Sequence, residues 1–266
     1  MSLYPNRLVV KVGTSTLING AGRSDLRIFD RLARVLADVQ NRGYQVILVS
    51  SGAIAVGARK LRMNGTPDSM RLKQAAAAVG QCRNLFLYDR CFREYDKTVA
   101  QILLNAEDLR QEERVRHLIQ TFDALLELGV IPIVNENDSA RPAEAEPDER
   151  LFGDNDLLGA EVAVLCGARR LVIFSDMEGL TDRDPGKDPE ARLLARTDGK
   201  GALYPWPGGS GSHRGRGGVR TKLQAAARAV PQGIDVVITN GKEPQRLYDL
   251  LDGRPVGTCF PGRSLR

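Results

Sequence analysis

Five short apolar runs, rich in β-branched residues, constrain the fold of this chain more than any other feature. They are LVVKV, VILV, VIPIV, LVIF and DVVI, at 8–12, 46–49, 130–134, 171–174 and 235–238. Such runs do not alternate apolar with polar residues, which is typical of strands buried on both faces of a parallel sheet. A sixth run of this type covers 98–104. With helical patterns between the runs, the sequence predicts a three-layer α/β/α sandwich with a mainly parallel central sheet.

The apolar spacing between these runs predicts seven helices. They cover Ser24–Arg42, Ala53–Leu61, Met70–Tyr95, Glu112–Leu128, Asp156–Cys166, Val219–Val230 and Gln245–Leu251. In the first of them, Leu32, Leu36 and Val39 share one face. Ser24 is its predicted N-cap, and Gly43 stands just past its end, where a left-handed residue closes many helices.

The residues that are scarce exclude several classes of protein. With two histidines in 266 residues, a His-rich metal centre is excluded. The four cysteines (82, 91, 166 and 259) form no C-x-x-C pair, as is usual for reduced thiols. No uncharged apolar run approaches the roughly 20 residues of a membrane span, and the N-terminus does not resemble a signal peptide. We therefore expect a cytoplasmic protein that does not associate with a membrane and does not bind a metal ion through its own side chains.

The chain has a net charge of +5, and one segment contains basic residues without any acid. Residues 213–228, HRGRGGVRTKLQAAAR, contain five Lys or Arg residues and no acid. A basic, glycine-rich loop can meet a phosphate-bearing small molecule or a nucleic acid. RNA-binding modules usually add exposed aromatic residues, whereas Tyr204 and Trp206 are flanked by prolines, as in a turn. A small anionic ligand is the favoured partner, and nucleic acid is not expected.

Polar and small residues follow each predicted strand. They are KVGTS at 11–15, SSG at 50–52, NEND at 135–138, SD at 175–176 and TNG at 239–241. Parallel sheets bind ligands beyond the carboxyl ends of their strands, so these residues predict a ligand crevice. P-loop, dinucleotide and protein-kinase fingerprints are absent. Glycine-flanked loops that open helices are present instead, and with Lys11 and Lys222 they suit a transferring phosphoryl group.

Six motifs in one order resemble a known family. KVGTS at 11–15, SSGAIAVG at 50–57, NEND at 135–138, GDND at 153–156, SDMEGL at 175–180 and RGGVRTK at 216–222 are similar to the glutamate 5-kinase branch of the amino acid kinase family. The resemblance covers about 7–260. It implies ATP-dependent phosphorylation of the side-chain carboxylate of L-glutamate to glutamyl 5-phosphate, the first step of proline biosynthesis. The alternatives are a kinase of another amino-acid carboxylate, N-acetylglutamate or aspartate, and a non-catalytic amino-acid sensor of the same fold.

The resemblance also implies roles for individual residues. The catalytic set is Lys11, Asp156 and Lys222, with Asp156 organising the two lysines. The substrate-binding set is Ser51, Gly52, Asp138, Asp154 and Asn155. The ATP-binding set is Lys11, Gly13, Ser175, Asp176, Arg216, Gly217, Gly218, Val219, Arg220, Thr221 and Lys222. Without the motif, Asp154 and Asp156 would more often be interpreted as helix N-cap residues, and Lys222 as a solvated helix charge. Mg²⁺ is expected on the ATP phosphates, with no protein ligand.

The resemblance further implies one amino acid kinase domain over 1–266. Its substrate lobe covers about 1–165, and its nucleotide lobe covers about 166–266. Many relatives carry an additional C-terminal domain of the PUA type, and we expect the form without it. Arg216 and Val219 stand where the family commonly has Thr and Met, and 139–150 form a long acidic loop. A homo-oligomer is expected, and L-proline is the candidate feedback inhibitor.

Overall fold

Seven strands form one sheet in the computed structural model, which describes residues 4–20, 22–140, 155–183, 188–196 and 218–263. In chain order the strands are β1 (Tyr4–Val12), β2 (Gln45–Val49), β3 (Val99–Leu104), β4 (Ile131–Glu136), β5 (Ala168–Ser175), β6 (Asp235–Asn240) and β7 (Thr258–Phe260). Their order across the sheet is β3-β4-β2-β1-β5-β6-β7. Every neighbouring pair is parallel except β6 and β7, which are antiparallel.

Helices connect the parallel strands. Within the described ranges they are α1 (Thr14–Leu17), α2 (Leu26–Asn41), α3 (Ala53–Lys60), α4 (Met70–Arg93), α5 (Glu112–Glu127), α6 (Asn155–Leu165), α7 (Val219–Ala229) and α8 (Arg246–Leu251). None of these helices combines the length and the apolar character that a membrane crossing requires.

The sheet separates two hydrophobic cores. Along β1, Leu8 and Val10 face one core and Val9 faces the other, because successive side chains of a strand point to opposite faces. One core packs α5, α6 and α7 against the sheet, and the other packs α2, α4 and α8 against it. This arrangement confirms the predicted three-layer sandwich and explains why its central strands are apolar throughout.

All six predicted strands and all seven predicted helices are present, and their predicted and observed ends differ by no more than four residues. Gly43 has a φ of +88°, as expected just past the end of α2. The predicted N-cap, Ser24, is wrong: the Asp25 side chain accepts hydrogen bonds from the backbone N–H of Arg27 and Ile28. Ser24 instead pairs with Ile18 in an isolated bridge, which carries its backbone away from the helix.

Two glycines bring α3 and α4 into backbone contact. A Cβ on Gly57 would lie 1.7 Å from the carbonyl oxygen of Ala76, and one on Gly80 would lie 1.8 Å from that of Ala53. No side chain fits at either position, so the two helix backbones touch directly. Because Ala53 begins α3, this contact fixes the helix α4 close to the loop that follows β2.

Candidate active site

Strand register brings the predicted site loops to one edge of the sheet. Lys11, near the end of β1, lies between Val49 of β2 and Ile173 of β5. Val49 in turn pairs with Val134 of β4. The residues that follow β1, β2, β4 and β5 therefore emerge side by side, as the pattern of strand ends predicted.

A buried carboxylate between two lysines lies at the centre of this edge. Lys11 Nζ is 2.5 Å from Asp156 Oδ1, and Lys222 Nζ is 3.2 Å from Asp156 Oδ2. Thr221 Oγ1 also donates to Asp156 Oδ2, at 2.8 Å. Asp156 is 0% exposed, and each lysine is 4% exposed. The three predicted catalytic residues thus form one cluster, although they come from β1, α6 and α7.

The lysines determine the charge of this carboxyl group. Burial on its own raises the pKa of Asp156, but the positive charges of Lys11 and Lys222 and the hydrogen bonds from Lys11 and Thr221 lower it. Their combined effect exceeds that of burial, so the pKa lies below its ordinary value. Asp156 is therefore an anion at neutral pH, and it aligns the two ammonium groups.

Each member of the cluster is supplied by a local feature of the sequence. Asp156 lies in the first turn of α6, where the partial positive charge of a helix N-terminus favours an acid. Gly159, one turn later, provides space for Lys11, because a Cβ there would lie 3.3 Å from the Lys11 Cβ. Thr221 and Lys222 lie in the first turn of α7, just after the predicted glycine-rich loop. Helix termini and a small residue together allow two lysines to meet one acid.

Asn155, next to Asp156, connects the loops on the other side of the cluster. Its Nδ2 lies 2.8 Å from Ser50 O, 2.8 Å from Ser51 Oγ and 2.9 Å from Asn135 Oδ1. These acceptors belong to the loop after β2 and to the end of β4. Two residues predicted to bind substrate, Ser51 and Asn155, are therefore in direct contact, and a third polar residue, Asn135, joins them.

Gly52 gives the loop after β2 its shape. Its φ of +88° lies in the left-handed region, and a Cβ there would lie 2.9 Å from Ile18 Cδ1. A larger residue would meet both backbone strain and a steric clash. The turn at Gly52 starts α3 at this edge of the sheet, directly after the loop that follows β2.

The predicted nucleotide-side residues lie around the end of β5. Ser175 is buried and donates from Oγ to Asp176 Oδ1 at 3.1 Å, and Asp176 is exposed. The N–H of Gly13 donates to Phe174 O, which joins the loop after β1 to β5. Of the predicted residues around α7, Gly218 precedes the helix, Val219 is buried, and Arg220 is exposed.

Of the remaining predicted residues, one lies close to the end of β4 and the others fall outside the described residues. Asp138 lies in a short 3-10 turn, Asp138–Ala140, directly after β4, and is partly buried. Asp154, Arg216 and Gly217 lie outside the described residues, as does the acidic stretch 141–150. Three buried polar residues of α4 that were not predicted contact the same loops: Gln81, Asn84 and Tyr88. Their spacing, on one face of a helix, was the available signal.

Two ammonium groups at a glycine-rich sheet edge suit a ligand that carries phosphoryl groups. In the part of the chain that the structure describes, no three His, Cys, Asp or Glu side chains are grouped as a metal site requires. The buried acid at the centre, Asp156, is engaged by two lysines, and two further acids, Asp138 and Asp176, lie at the same edge of the sheet. Two lysines beside a buried acid fit the negative charge of nucleotide phosphates, which are also groups that Mg²⁺ prefers.

Two curated relatives are similar in sequence to this chain over nearly its whole length. The glutamate 5-kinase of Clostridium perfringens (strain 13 / Type A) is 45% identical over 259 residues, which cover 97% of this chain and 96% of that protein. The glutamate 5-kinase of Listeria innocua serovar 6a is 42% identical, with coverage of 97% and 94%.

Solved structures share the fold at low sequence identity. The isopentenyl phosphate kinase of T. acidophilum, in a product complex, has a TM-score of 0.66 at 15% identity, covering 96% of this chain and 99% of its own. The carbamate kinase of Giardia lamblia, bound to AMP-PNP, also has a TM-score of 0.66 at 15% identity, with coverage of 97% and 98%. The family model described as "Amino acid kinase family" matches residues 6–240. The chain therefore belongs to the amino acid kinase family, with glutamate 5-kinases among its relatives.

Proposed function

We propose that this chain transfers the γ-phosphoryl group of ATP to the side-chain carboxylate of L-glutamate, forming glutamyl 5-phosphate and ADP. The observation that carries the proposal is the buried cluster of Lys11, Asp156 and Lys222 beside the Ser51–Asn155 contact. Relatives named glutamate 5-kinase, at 41–45% identity over nearly the whole chain, support the choice of acceptor. The product would enter proline biosynthesis.

The chemistry requires no general base. A glutamate side chain, with an ordinary pKa of about 4.3, is already an anion at neutral pH. One of its oxygens attacks the γ-phosphorus, the bond from that phosphorus to the β–γ bridging oxygen breaks, and ADP leaves with the electron pair. No proton is transferred in this step. The enzyme must instead bring two anions together and stabilise the charge that moves between them.

The residues of the cluster suit this task. Lys11 and Lys222 neutralise the oxygens of the transferring group, and Asp156 holds both ammonium groups in place. An acid that two lysines hold ionised is a poor proton carrier, so we assign it an organising role. Mg²⁺ bound to the ATP phosphates would add further positive charge there.

We assign the amino-acid substrate to the N-terminal lobe, about 1–165, and ATP to the C-terminal lobe, about 166–266. Ser51 and Gly52 bind the carboxylates of glutamate, Asn155 contacts the substrate, and Asp138, with Asp154, binds its ammonium group. Gly13, Ser175, Asp176 and the residues 216–222 border the nucleotide. Replacing Asp138 by Ala is expected to raise the KM for L-glutamate while the KM for ATP stays unchanged.

The test is ADP release from Mg·ATP with hydroxylamine present to trap an acyl phosphate. L-Glutamate, N-acetyl-L-glutamate, L-aspartate and no acceptor are compared in parallel. Hydroxamate with L-glutamate alone is the expected result. Hydroxamate with another acceptor overturns the substrate assignment, and binding of ATP and L-glutamate without turnover in folded protein favours the sensor. Adding L-proline to the same assay tests feedback inhibition, and sedimentation of the purified chain tests the homo-oligomer.

A further inference from the structure

Three polar side chains on one face of α4 are buried against the loops of the amino-acid side. Gln81, Asn84 and Tyr88 follow the spacing i, i+3, i+7, which places them in one line along a helix. They are 9%, 5% and 0% exposed, respectively. Burying a polar group costs free energy unless it is hydrogen-bonded, so their partners indicate what they do.

Each partner belongs to a loop that carries an assigned substrate residue. Tyr88 Oη lies 2.9 Å from Ser50 Oγ, and Asn84 Nδ2 donates to the carbonyl oxygen of Ser51 at 3.3 Å. Gln81 Nε2 donates to the carbonyl oxygen of Glu136 at 3.2 Å. Both carbonyls lie where a strand ends at the crevice. The helix thus holds the loop after β2 at two points and the end of β4 at one.

The helix that holds these loops is itself fixed in position. The contact between Gly80 and the backbone of Ala53 sets the position of α4 against the first residue of α3. The Tyr88 ring packs against Phe29 and Phe92, with centroids 4.7 and 6.4 Å away. Burial raises the pKa of the Tyr88 hydroxyl, so the group remains protonated at neutral pH. A rigid support and a permanent hydroxyl are what a positioning contact requires.

We propose that Gln81, Asn84 and Tyr88 are positioning residues for the amino-acid substrate. They act through the loops: Tyr88 and Asn84 set Ser50 and Ser51, and Gln81 sets the backbone two residues before Asp138. Asn155 approaches the same loops from α6, so the site is held from both sides. This inference rests on the proposed function, because it assigns to these loops the binding of L-glutamate.

The test uses substitutions that remove the polar contact and keep the volume. Tyr88→Phe deletes the hydroxyl at Ser50, and Gln81→Met deletes the donor to Glu136. For both variants we expect the KM for L-glutamate to rise about three- to tenfold, the range that loss of one hydrogen bond predicts. The KM for ATP should stay within about twofold, because these loops lie on the amino-acid side.

The matched control is Tyr95→Phe. Tyr95 also donates through its hydroxyl, to Asp30 Oδ1 at 3.3 Å, but it lies just past the far end of α4. Both KM values should equal those of the unmodified chain in this variant. An unchanged KM for L-glutamate in Tyr88→Phe and Gln81→Met overturns the proposal, and so does a parallel rise of both KM values with a lowered Tm, which indicates a merely structural role.

Failure of the proposed function is recognised separately. If the unmodified chain forms no glutamyl hydroxamate, hydrogen exchange at residues 50–52 and 135–138 tests the loop contacts without turnover. Faster exchange there in Tyr88→Phe and Gln81→Met than in Tyr95→Phe supports the holding role. Equal exchange in all three variants overturns it.

Discussion

Asn155 and Asp156 are adjacent in the chain, but their side chains enter two different networks. Asn155 contacts Ser50, Ser51 and Asn135, whereas Asp156 contacts Lys11, Thr221 and Lys222. The first turn of α6 therefore joins the loops assigned to the amino acid to the lysines assigned to the phosphoryl group. In the proposed reaction, this helix end aligns the substrate carboxylate with the transferring phosphoryl group. Substitutions in the Asn155 network and in the Asp156 network should therefore have separable kinetic effects.

Replacing Lys222 by Ala should lower kcat much more than it changes the KM for L-glutamate. The ammonium group is proposed to contact the transferring group, where charge changes most, so we expect a loss of about 100-fold or more in kcat. Steady-state kinetics with both substrates varied checks this. Lys242→Ala, an exposed lysine in the turn after β6, is the control and should retain kcat. An unchanged kcat in Lys222→Ala would remove that residue from the mechanism.

Replacing Asp156 by Asn should destabilise the chain in a pH-dependent way. The variant loses the carboxylate charge between two buried lysines, which costs about 3 kcal/mol or more at neutral pH. Because the pKa of Asp156 is lower in the folded chain than in the unfolded one, its ionised form stabilises the fold fully above a pH of about 4–5. That contribution is lost as pH falls through the folded pKa.

Urea unfolding of both proteins from pH 8 to pH 3 measures this difference. The gap between the unmodified chain and Asp156→Asn should be constant above about pH 5 and should narrow below about pH 4. Asp89→Asn, which alters an exposed pair with Arg93 on one helix, should show a gap near zero throughout. A gap that widens toward low pH would contradict the assigned direction of the Asp156 pKa.

Local pattern was enough to predict the strands and helices, but not every cap or edge. β2 was predicted correctly because four consecutive large apolar residues, 46–49, in so short a segment are typical of a strand that is buried on both faces. β7 was missed because Thr258–Phe260 is too short to form a pattern, and its pairing with β6 is a contact between separate segments of the chain. Asp25 and Ser24 are both good N-cap residues, so local sequence did not distinguish them.

The site was predictable to the extent that its residues occur in motifs. Lys11, Asp156 and Lys222 each stand in a recognisable segment, and the fold brings them together. Tyr88 stands in no such segment, and its partner Ser50 belongs to a distant element. A contact of that kind depends on how α4 crosses α3, which no single stretch of sequence encodes.

Replacing Gly57 or Gly80 by Ala tests that crossing. Ala is normally favoured over Gly inside a helix by about 1 kcal/mol. Here a Cβ would overlap a backbone carbonyl, so we expect a loss of about 1–3 kcal/mol in the free energy of unfolding for each variant. Gly20→Ala is the control, because a Cβ added at Gly20 has no heavy atom of a non-neighbouring residue within 4 Å. This variant should unfold at the same urea concentration as the unmodified chain. Stabilisation by Gly57→Ala would show that the helices can separate at no cost.

Glu178 connects the loop after β5, which we assign to the nucleotide, to two other elements. Its Oε1 accepts from Asn240 Nδ2 of β6, and its Oε2 pairs with Arg246 Nη1 of α8, both at 2.6 Å. Glu178→Gln weakens both contacts, so the loop that carries Ser175 and Asp176 should hold ATP less well. We expect the KM for ATP to rise about threefold, the KM for L-glutamate to stay constant, and stability to fall by less than about 1 kcal/mol. Glu243→Gln weakens the other ion pair of Arg246 and leaves the contact between Glu178 and Asn240 intact, so it should leave both KM values unchanged. Equal effects of the two variants would mean that Arg246, and not the Glu178 loop, determines ATP binding.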